Sequence, residues 1–216
     1  MGLRAQWNNP FAHKVVLALA QGPGYQAGMA RPKLVSDDEV LDATHAAMLR
    51  LGPDRFTLAD VARDLGLSRA ALIQRFGDKH ALHVRAMARA TDEVRAYFAA
   101  APRETGLAPL WVMLRDLIAG MGEGQGFSGY LLLLWADAGD PALNRLARER
   151  NLLVRNAIAE RLPDDHARAA NAGLIQDVIQ GATMRWLVER DGGLDGFVMA
   201  ETRLVLSRLY PDAKLE

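Results

Sequence analysis

The stretch FTLADVARDLGLSRAALIQRF, residues 56–76, contains two short helical patterns joined by a single glycine. Thr57 with Asp60 three residues later has the spacing of a capping box and predicts where the first helix begins. Apolar residues recur at helical spacing after it, and Gly66 ends the pattern after about two turns. Ser68 can cap the second helix. This order of caps, helices and glycine predicts a tight helix-turn-helix unit.

The second helix of this stretch has a narrow apolar stripe, marked by Leu72 and Phe76, and an otherwise small or hydrogen-bonding surface. Such a surface can enter the DNA major groove, because small side chains let the backbone approach and Arg or Gln can form paired hydrogen bonds with base edges. Helix starts and a nearby Lys can bind phosphates. The residues expected to contact DNA are Thr57, Ser68, Arg69, Ala70, Gln74, Arg75 and Lys79.

Bulk composition favours neither nucleic acid nor an acidic partner, since the 216-residue chain has 26 Lys and Arg against 26 Asp and Glu. Any electrostatic attraction to DNA must therefore be local. Cysteine is absent from the sequence, which excludes disulfides, thiolate metal sites and a Cys nucleophile and fits a reducing cytoplasm. Short amphipathic helices joined by glycine also occur in other helical proteins, so spacing alone leaves a purely structural role open.

Helical periodicity continues on both sides of this stretch and predicts an all-α fold. Before it, a helix is expected from Ser36 or Asp37 to Gly52. After it, the run YLLLLWADAGD is nearly all apolar and is expected to be a buried helix, preceded by a flexible break over 120–129. The further helices are expected at 78–101, around 110–118, at 141–162, from a cap near Asp164 to Gly192, and at 194–210.

The order of residues over 56–82 closely resembles the amino-terminal signature of TetR-family transcriptional regulators. The matching residues are Phe56, Thr57, Val61, Ala62, Gly66, Leu67, Ser68, Leu72, Phe76, Lys79 and Leu82. The resemblance extends over about residues 36–96. It implies a three-helix helix-turn-helix domain followed by a helical ligand-binding and dimerisation domain. It also implies that Thr57 and Lys79 contact phosphates and that Arg69 and Ala70 lie at base edges.

Two positions depart from the family pattern. Ile73 stands where the family usually has Tyr, and Arg75 stands where it often has His. A hydroxyl that would bind a phosphate is therefore missing. Arg75 can replace it electrostatically, while Gln74 is the better additional base reader.

We divide the chain into three parts. Residues 1–35 are expected to be a flexible arm, in which 1–28 could be a start-site extension because Met29 begins a more natural start. Residues 36–83 form the DNA-binding domain, and 84–211 form the ligand-binding and dimerisation domain. The apolar run VVLALA is shorter than a signal peptide requires, and no run reaches the length of a membrane span.

A pair of glycines in the long helix predicts a contact between two copies of the chain. Gly173 and Gly181 are eight residues apart on one face with Asp177 between them, which permits close helix approach. The resemblance implies a four-helix bundle with a two-fold mate, to which the last helix adds Phe197, Leu204 and Leu206. Packing within one chain is the alternative. A homodimer is favoured because two half-sites must lie one helical turn apart.

Large aromatic side chains are numerous in the carboxy-terminal part, where they could be core or line a cavity. The resemblance implies that this domain encloses a small apolar or amphipathic effector. The residues expected to line the pocket are Trp111, Tyr130 and Trp135, with Gln176 or Gln180 as polar groups.

Two further patterns suggest other chemistry. GQGFSG at 124–129 matches a dinucleotide-binding pattern, but that motif needs a preceding strand and the residues before it have helical period. His80 and His83 are three residues apart and could share a metal, although a solvated surface is the favoured interpretation. A helical enzyme or nucleotide-binding protein is therefore the second hypothesis, and neither a cofactor nor a metal is expected.

The combined expectation is an all-helical, cytoplasmic, homodimeric regulator without catalytic activity, which binds double-stranded DNA and does not enter a membrane. It is expected to act as a repressor that a small ligand releases from a palindromic operator, with activation as the alternative if the site lies elsewhere in a promoter.

Overall fold

The computed structural model describes residues 35–124 and 127–212, which form nine α-helices and no strand. The predicted all-α fold is therefore confirmed. The arm predicted over 1–35 lies outside the described residues, apart from Val35. The helices are α1 Asp37–Leu51, α2 Leu58–Leu65, α3 Arg69–Phe76, α4 Lys79–Ala100, α5 Leu107–Ala119, α6 Phe127–Gly139, α7 Pro141–Arg161, α8 Arg168–Glu189 and α9 Leu194–Leu209.

The first three helices begin at the predicted caps. The Ser36 hydroxyl accepts a hydrogen bond from the Glu39 backbone N–H, and the Glu39 carboxylate accepts one from the Ser36 N–H at 2.8 Å. Thr57 caps α2 through a reciprocal pair of the same kind, and Ser68 accepts from Ala71 N–H at 3.1 Å. Each cap satisfies a backbone N–H that has no partner inside its helix.

The amino-terminal core includes residues from beyond the helix-turn-helix unit. Val40, Phe56 and Leu72 are fully buried at its centre. Leu133 of α6 and Leu143 of α7 pack into the same cluster. The first four helices therefore share one core with α6 and α7, and the predicted division at residue 84 remains a prediction.

Gly129 lets α6 pack closely against α1. A Cβ atom built on Gly129 would lie well under 3.0 Å from the carbonyl oxygen of Leu49. Because the obstacle is backbone rather than a flexible side chain, any larger residue would push the two helices apart. This contact positions α6 against the helix that begins the amino-terminal unit.

A second core lies between α5, α8 and α9, and Trp111, Leu114 and Trp186 are buried in it. Gly124, with φ +84°, faces the Trp186 ring so closely that a Cβ would overlap it. The glycine-rich segment thus serves packing at this end. It is also shorter than predicted, because α6 begins at Phe127 rather than after residue 129.

Two expectations about the helices are wrong. The apolar run in α6 is not buried as a whole: Leu133 is buried, but Leu132 is exposed and 83% of Trp135 is accessible. The reason is that α6 packs by one side only, and the opposite side meets no helix of the described chain. The long helix begins at Arg168, where Asp164 forms an ion pair at 3.2 Å instead of a cap. No helix among residues 35–124 and 127–212 combines the length and apolarity needed to span a membrane.

Candidate nucleic-acid interface

The turn between α2 and α3 determines how α3 is presented. Gly66 adopts the left-handed conformation, with φ +66°, and the Leu67 N–H donates to the Ala62 carbonyl at 2.8 Å. Leu72 and Phe76 then anchor α3 in the amino-terminal core. The helix is held by these two side chains, so its other side faces outward.

The outward side of α3 carries the predicted reading residues. Arg69, Ala70, Ile73 and Gln74 are all exposed. Arg69 and Gln74 form no side-chain hydrogen bond or ion pair with any described residue, so their donors are available to a ligand. The first turn of α3 has no acidic residue that would repel a phosphate. This side can therefore present a guanidinium and an amide to base edges.

Two other predicted DNA-contacting cations already have partners. The Arg75 guanidinium forms an ion pair with Asp37 of α1. Lys79 donates to the Asp54 carbonyl oxygen at 2.8 Å, and its ammonium lies 4.6 Å from the centre of the Phe56 ring. Lysine has three donors, so Lys79 keeps two for a phosphate while its position is held. Arg75 would have to leave Asp37 to reach DNA.

Thr57 is also engaged at its cap. Its hydroxyl donates to the Asp60 carboxylate at 2.7 Å and accepts from the Asp60 backbone N–H at 3.2 Å. The hydrogen bond from Thr57 lowers the pKa of Asp60, followed by the contribution of Arg63. A phosphate offers only acceptors, so a direct bond from this hydroxyl requires Thr57 to release Asp60. Ser68 is exposed at the start of α3.

A buried polar cluster that was not predicted from the sequence joins α1 and α4 to α6 and α7. Arg150 of α7 donates to the Asp137 carboxylate of α6 at 2.9 Å and to the Thr91 hydroxyl of α4 at 3.0 Å. His45 of α1 and His83 of α4 are buried beside them. The available signal was an Asp at the end of an apolar run with an Arg 13 residues later.

Burial determines the protonation of this cluster. It lowers the pKa of His45 to about 4, and the positive charge of Arg150 adds to the effect. It also lowers the pKa of His83 to about 4, with a smaller contribution from His80. Burial raises the pKa of Asp137, although Arg150 opposes this shift. Both imidazoles are therefore neutral near pH 7.

The two histidines considered as a metal pair do not share a site. His80 is exposed and lies 2.8 Å from the Asp140 carboxylate, whereas His83 is buried, so the expected solvated surface is wrong for His83. No group of three or more His, Cys, Asp or Glu residues suited to a metal occurs in the described part of the chain. The glycine-rich segment follows the helix α5, not the strand that a dinucleotide motif requires.

The predicted lining of the ligand pocket remains a prediction, and its members differ in burial. Trp111 is buried in the second core and Trp135 is exposed at the surface. Gln176 is buried, where its carbonyl accepts from Arg155 at 3.1 Å, and Gln180 is exposed. Tyr130 borders a cleft between α4, α6 and α7.

The cleft beside Tyr130 is small. It encloses about 20 Å³, with Met87 and Leu133 among its apolar walls and Asp137 and Arg150 at its polar end. This volume is sufficient for about one water molecule. An effector at this position would require α4 and α6 to separate.

The predicted dimer residues lie at the surface of the chain. Asp177 and Gly181 are exposed, and a Cβ at Gly173 or Gly181 would have no neighbour within 4 Å. Close helix packing within the chain therefore does not explain these glycines. Leu204 is exposed and Phe197 is half-buried beneath Arg185. The residues that share this exposed apolar character on α8 are Leu174, Met184 and Val188. Leu206 is fully buried within the chain, so its assignment to the interface is wrong.

Comparison with known proteins agrees with this geometry. Residues 40–86 match the family model of bacterial regulatory proteins of the tetR family. A candidate transcriptional regulator from Pseudomonas aeruginosa PAO1 superposes with a TM-score of 0.63 at 16% identity, covering 82% of this chain and 91% of that one. A candidate TetR-family regulator from Mesorhizobium loti MAFF303099 superposes with a TM-score of 0.62 at 16% identity, covering 80% and 95%. No curated protein matches the chain.

Proposed function

Because the chain belongs to the tetR family of bacterial regulatory proteins, we propose that it is a homodimeric repressor that binds a palindromic operator and is released by a small apolar or amphipathic ligand. The observation that carries the proposal is the outward side of α3. Arg69 and Gln74 are exposed there on a helix held from behind by Leu72 and Phe76. A rigid helix with unengaged donors is suited to direct readout in the major groove.

The phosphate contacts follow from residues around this helix. Lys79 is held at the start of α4 with two donors to spare, and Ser68 and Thr57 mark the starts of α3 and α2. Helix amino termini attract phosphates because their first N–H groups have no partner in the helix. We propose that these groups set the position of the protein on DNA and that Arg69, Ala70 and Gln74 read the bases. Arg75 can contact DNA only after its ion pair with Asp37 breaks.

Dimerisation would place two copies of α3 on one face of the duplex. Half-sites of a two-fold operator lie about 34 to 36 Å apart, one helical turn of DNA. The proposed contact is the surface of α8 and α9 around Gly173, Asp177 and Gly181, with Phe197 and Leu204 from α9. Its support is an open glycine face beside exposed apolar side chains, which is the composition of a helix surface that accepts a partner.

Release by a ligand would act through the connection between the two halves of the chain. The amino-terminal unit is joined to α6 and α7 by the continuous helix α4 and by the cluster around Asp137 and Arg150. A ligand that binds better when these helices separate would move the two copies of α3 out of groove spacing. A tenfold loss of operator affinity requires about 1.4 kcal/mol of differential binding. Because its partner is DNA, we place the protein in the cytoplasm.

The test is selection of bound sequences from random duplexes, followed by sedimentation of the complex on the selected site. The expected result is an enriched palindrome with half-sites one helical turn apart and two chains on each site. Selection without any enriched palindrome would contradict the proposal. Candidate ligands are then titrated with and without operator, and an effector must bind more weakly in the presence of operator by the same factor that it weakens DNA binding.

A further inference from the structure

We propose that Ile73 reads the methyl group of a thymine in the major groove, close to the base that Arg69 contacts. The inference rests on the proposed DNA-binding function and adds a determinant of sequence specificity to it. Ile73 lies on α3, where 41% of its side chain is accessible, while its neighbour Leu72 is fully buried. An apolar side chain thus stands on the side of the helix that would meet DNA.

The spacing of Ile73 from Arg69 places the two on one side of α3. Residues four apart on an α-helix are neighbours on its surface and are separated by about 6 Å along the axis. Base pairs follow one another every 3.4 Å or so, so this separation corresponds to about two base steps. The thymine is therefore expected within two base pairs of the position that Arg69 reads.

The chemistry of the major groove limits what Ile73 can contact. The exposed side of α3 has two polar readers, Arg69 and Gln74, and two apolar groups, Ala70 and Ile73. Among the four bases, only thymine presents an apolar group there, its 5-methyl. If Ile73 lay against the hydrogen-bonding edge of another base, that edge would lose water without gaining a partner. The contact therefore discriminates for thymine as well as adding affinity.

The local structure keeps the conformational entropy lost on forming this contact small. A β-branched side chain in a helix has one strongly preferred χ1 rotamer, so Ile73 is largely preorganised. The backbone that carries it is held by Leu72 and Phe76 in the core and by the Gly77 N–H, which donates to the Ile73 carbonyl at 2.8 Å. The nearby cation of Arg75 is turned away to Asp37, so it does not compete with Ile73 for the base.

The experiment uses the operator found by selection and replaces each thymine of both half-sites in turn by deoxyuridine, which lacks only the methyl group. At one position per half-site, within two base pairs of the base whose preference Arg69→Ala relaxes, wild-type affinity should fall roughly fourfold for each methyl removed. Because Ile73→Ala removes the contact from both half-sites of the dimer, its loss on the thymine duplex should match that of the duplex lacking both methyls, and it should lose nothing further on that deoxyuridine duplex. Such non-additivity is the signature of a direct contact.

Val112→Ala is the matched control, because Val112 is an exposed β-branched residue on α5; this variant should retain the full deoxyuridine effect. The inference is overturned if no deoxyuridine substitution weakens wild-type binding, or if the effect persists unchanged in Ile73→Ala. The deoxyuridine measurement with the wild-type protein needs no variant, so it does not depend on whether a variant folds. Failure of the proposed function is distinguishable, because selection would then enrich no palindrome at all, and the inference would fall with it.

Discussion

His83 Nε2 and Asp137 Oδ1 face each other at 3.7 Å in the interior, and neither has a hydrogen-bond partner among the described residues. His83 lies on α4 and Asp137 on α6, so the two atoms face each other where the amino-terminal helices meet the rest of the chain. A separation of 3.7 Å is too long for a hydrogen bond, so an approach of less than 1 Å would form one. Polar atoms without partners are rare in protein interiors, and here they mark a contact sensitive to helix movement.

Replacing Asp137 by Asn should destabilise the protein by about 1–3 kcal/mol, because the Arg150 guanidinium would lose its charged partner in a largely buried position. The measurement is the free energy of unfolding in urea. Asp64→Asn is the matched control, since Asp64 pairs with Arg50 at the surface, and its cost should stay below about 1 kcal/mol. Equal losses of unfolding free energy in the two variants would show that the buried ion pair stabilises the fold no more than the surface pair does.

Acidification should destabilise the fold through His45 and His83. Their pKa values are lowered to about 4 in the folded protein, against 6.5 for the ordinary group. The unfolded chain therefore binds more protons between these values, so stability is complete above about pH 6.5 and is lost as the pH falls toward 4. The raised pKa of Asp137 acts in the opposite sense at the acidic end.

The expected loss between pH 7.5 and pH 5 is about 2 kcal/mol for each histidine, or roughly 4 kcal/mol for the pair, measured by urea unfolding at both pH values. The double variant H45Q/H83Q should show a clearly smaller loss than the wild type. If the two proteins lose the same stability, groups other than these histidines cause the acid sensitivity.

Gly129→Ala should destabilise the protein by roughly 1–3 kcal/mol, because the new methyl group collides with the Leu49 carbonyl and forces α1 and α6 apart. Gly196→Ala in α9 is the matched control. Its Cβ would meet nothing within 4 Å, so the higher helix propensity of Ala should stabilise the protein by up to about 1 kcal/mol. Thermal unfolding distinguishes these opposite signs, and a neutral Gly129→Ala would refute the close packing.

Arg69→Ala should cost roughly 1 to 3 kcal/mol of operator binding and relax the preference at one position per half-site. Lys79→Ala should weaken all duplexes alike and reduce the salt slope by about one for each phosphate that the lysine neutralises. The measurement is affinity across single-base operator variants at several salt concentrations. Arg145→Ala, which removes an exposed cation from α7, serves as the control. If Arg69→Ala weakens binding to all duplexes equally, Arg69 does not contact a base edge.

Gly181→Leu should shift the protein toward monomer and lower operator affinity with it, since overpacking a close helix contact costs about 1 to 3 kcal/mol. Within one chain a Cβ at this position meets nothing within 4 Å, so the monomer should fold normally by circular dichroism. Sedimentation reports the assembly directly. A variant that remains dimeric with unchanged DNA binding would place Gly181 outside the interface.

The sequence by itself determined the local part of this structure. Helix starts at Ser36, Thr57 and Ser68 and the turn at Gly66 were predictable, because a cap or a left-handed glycine acts within a few residues of itself. The family resemblance also lies in this continuous stretch, which the family model matches over residues 40–86. Helix boundaries and the helix-turn-helix unit depend on interactions between residues close together in the chain, and such interactions can be recognised in the sequence.

Only the tertiary structure decided which sides of those helices are covered and which charged groups already have partners. Trp135 is exposed although its segment is apolar, and Arg75 is bound to Asp37, which is 38 residues away. His83 and Asp137 face each other across two helices that no local pattern relates. Burial and pairing depend on contacts between helices that are distant in sequence. One periodic pattern is therefore compatible with several arrangements of the helices, and the close packing of side chains in the folded chain selects one of them.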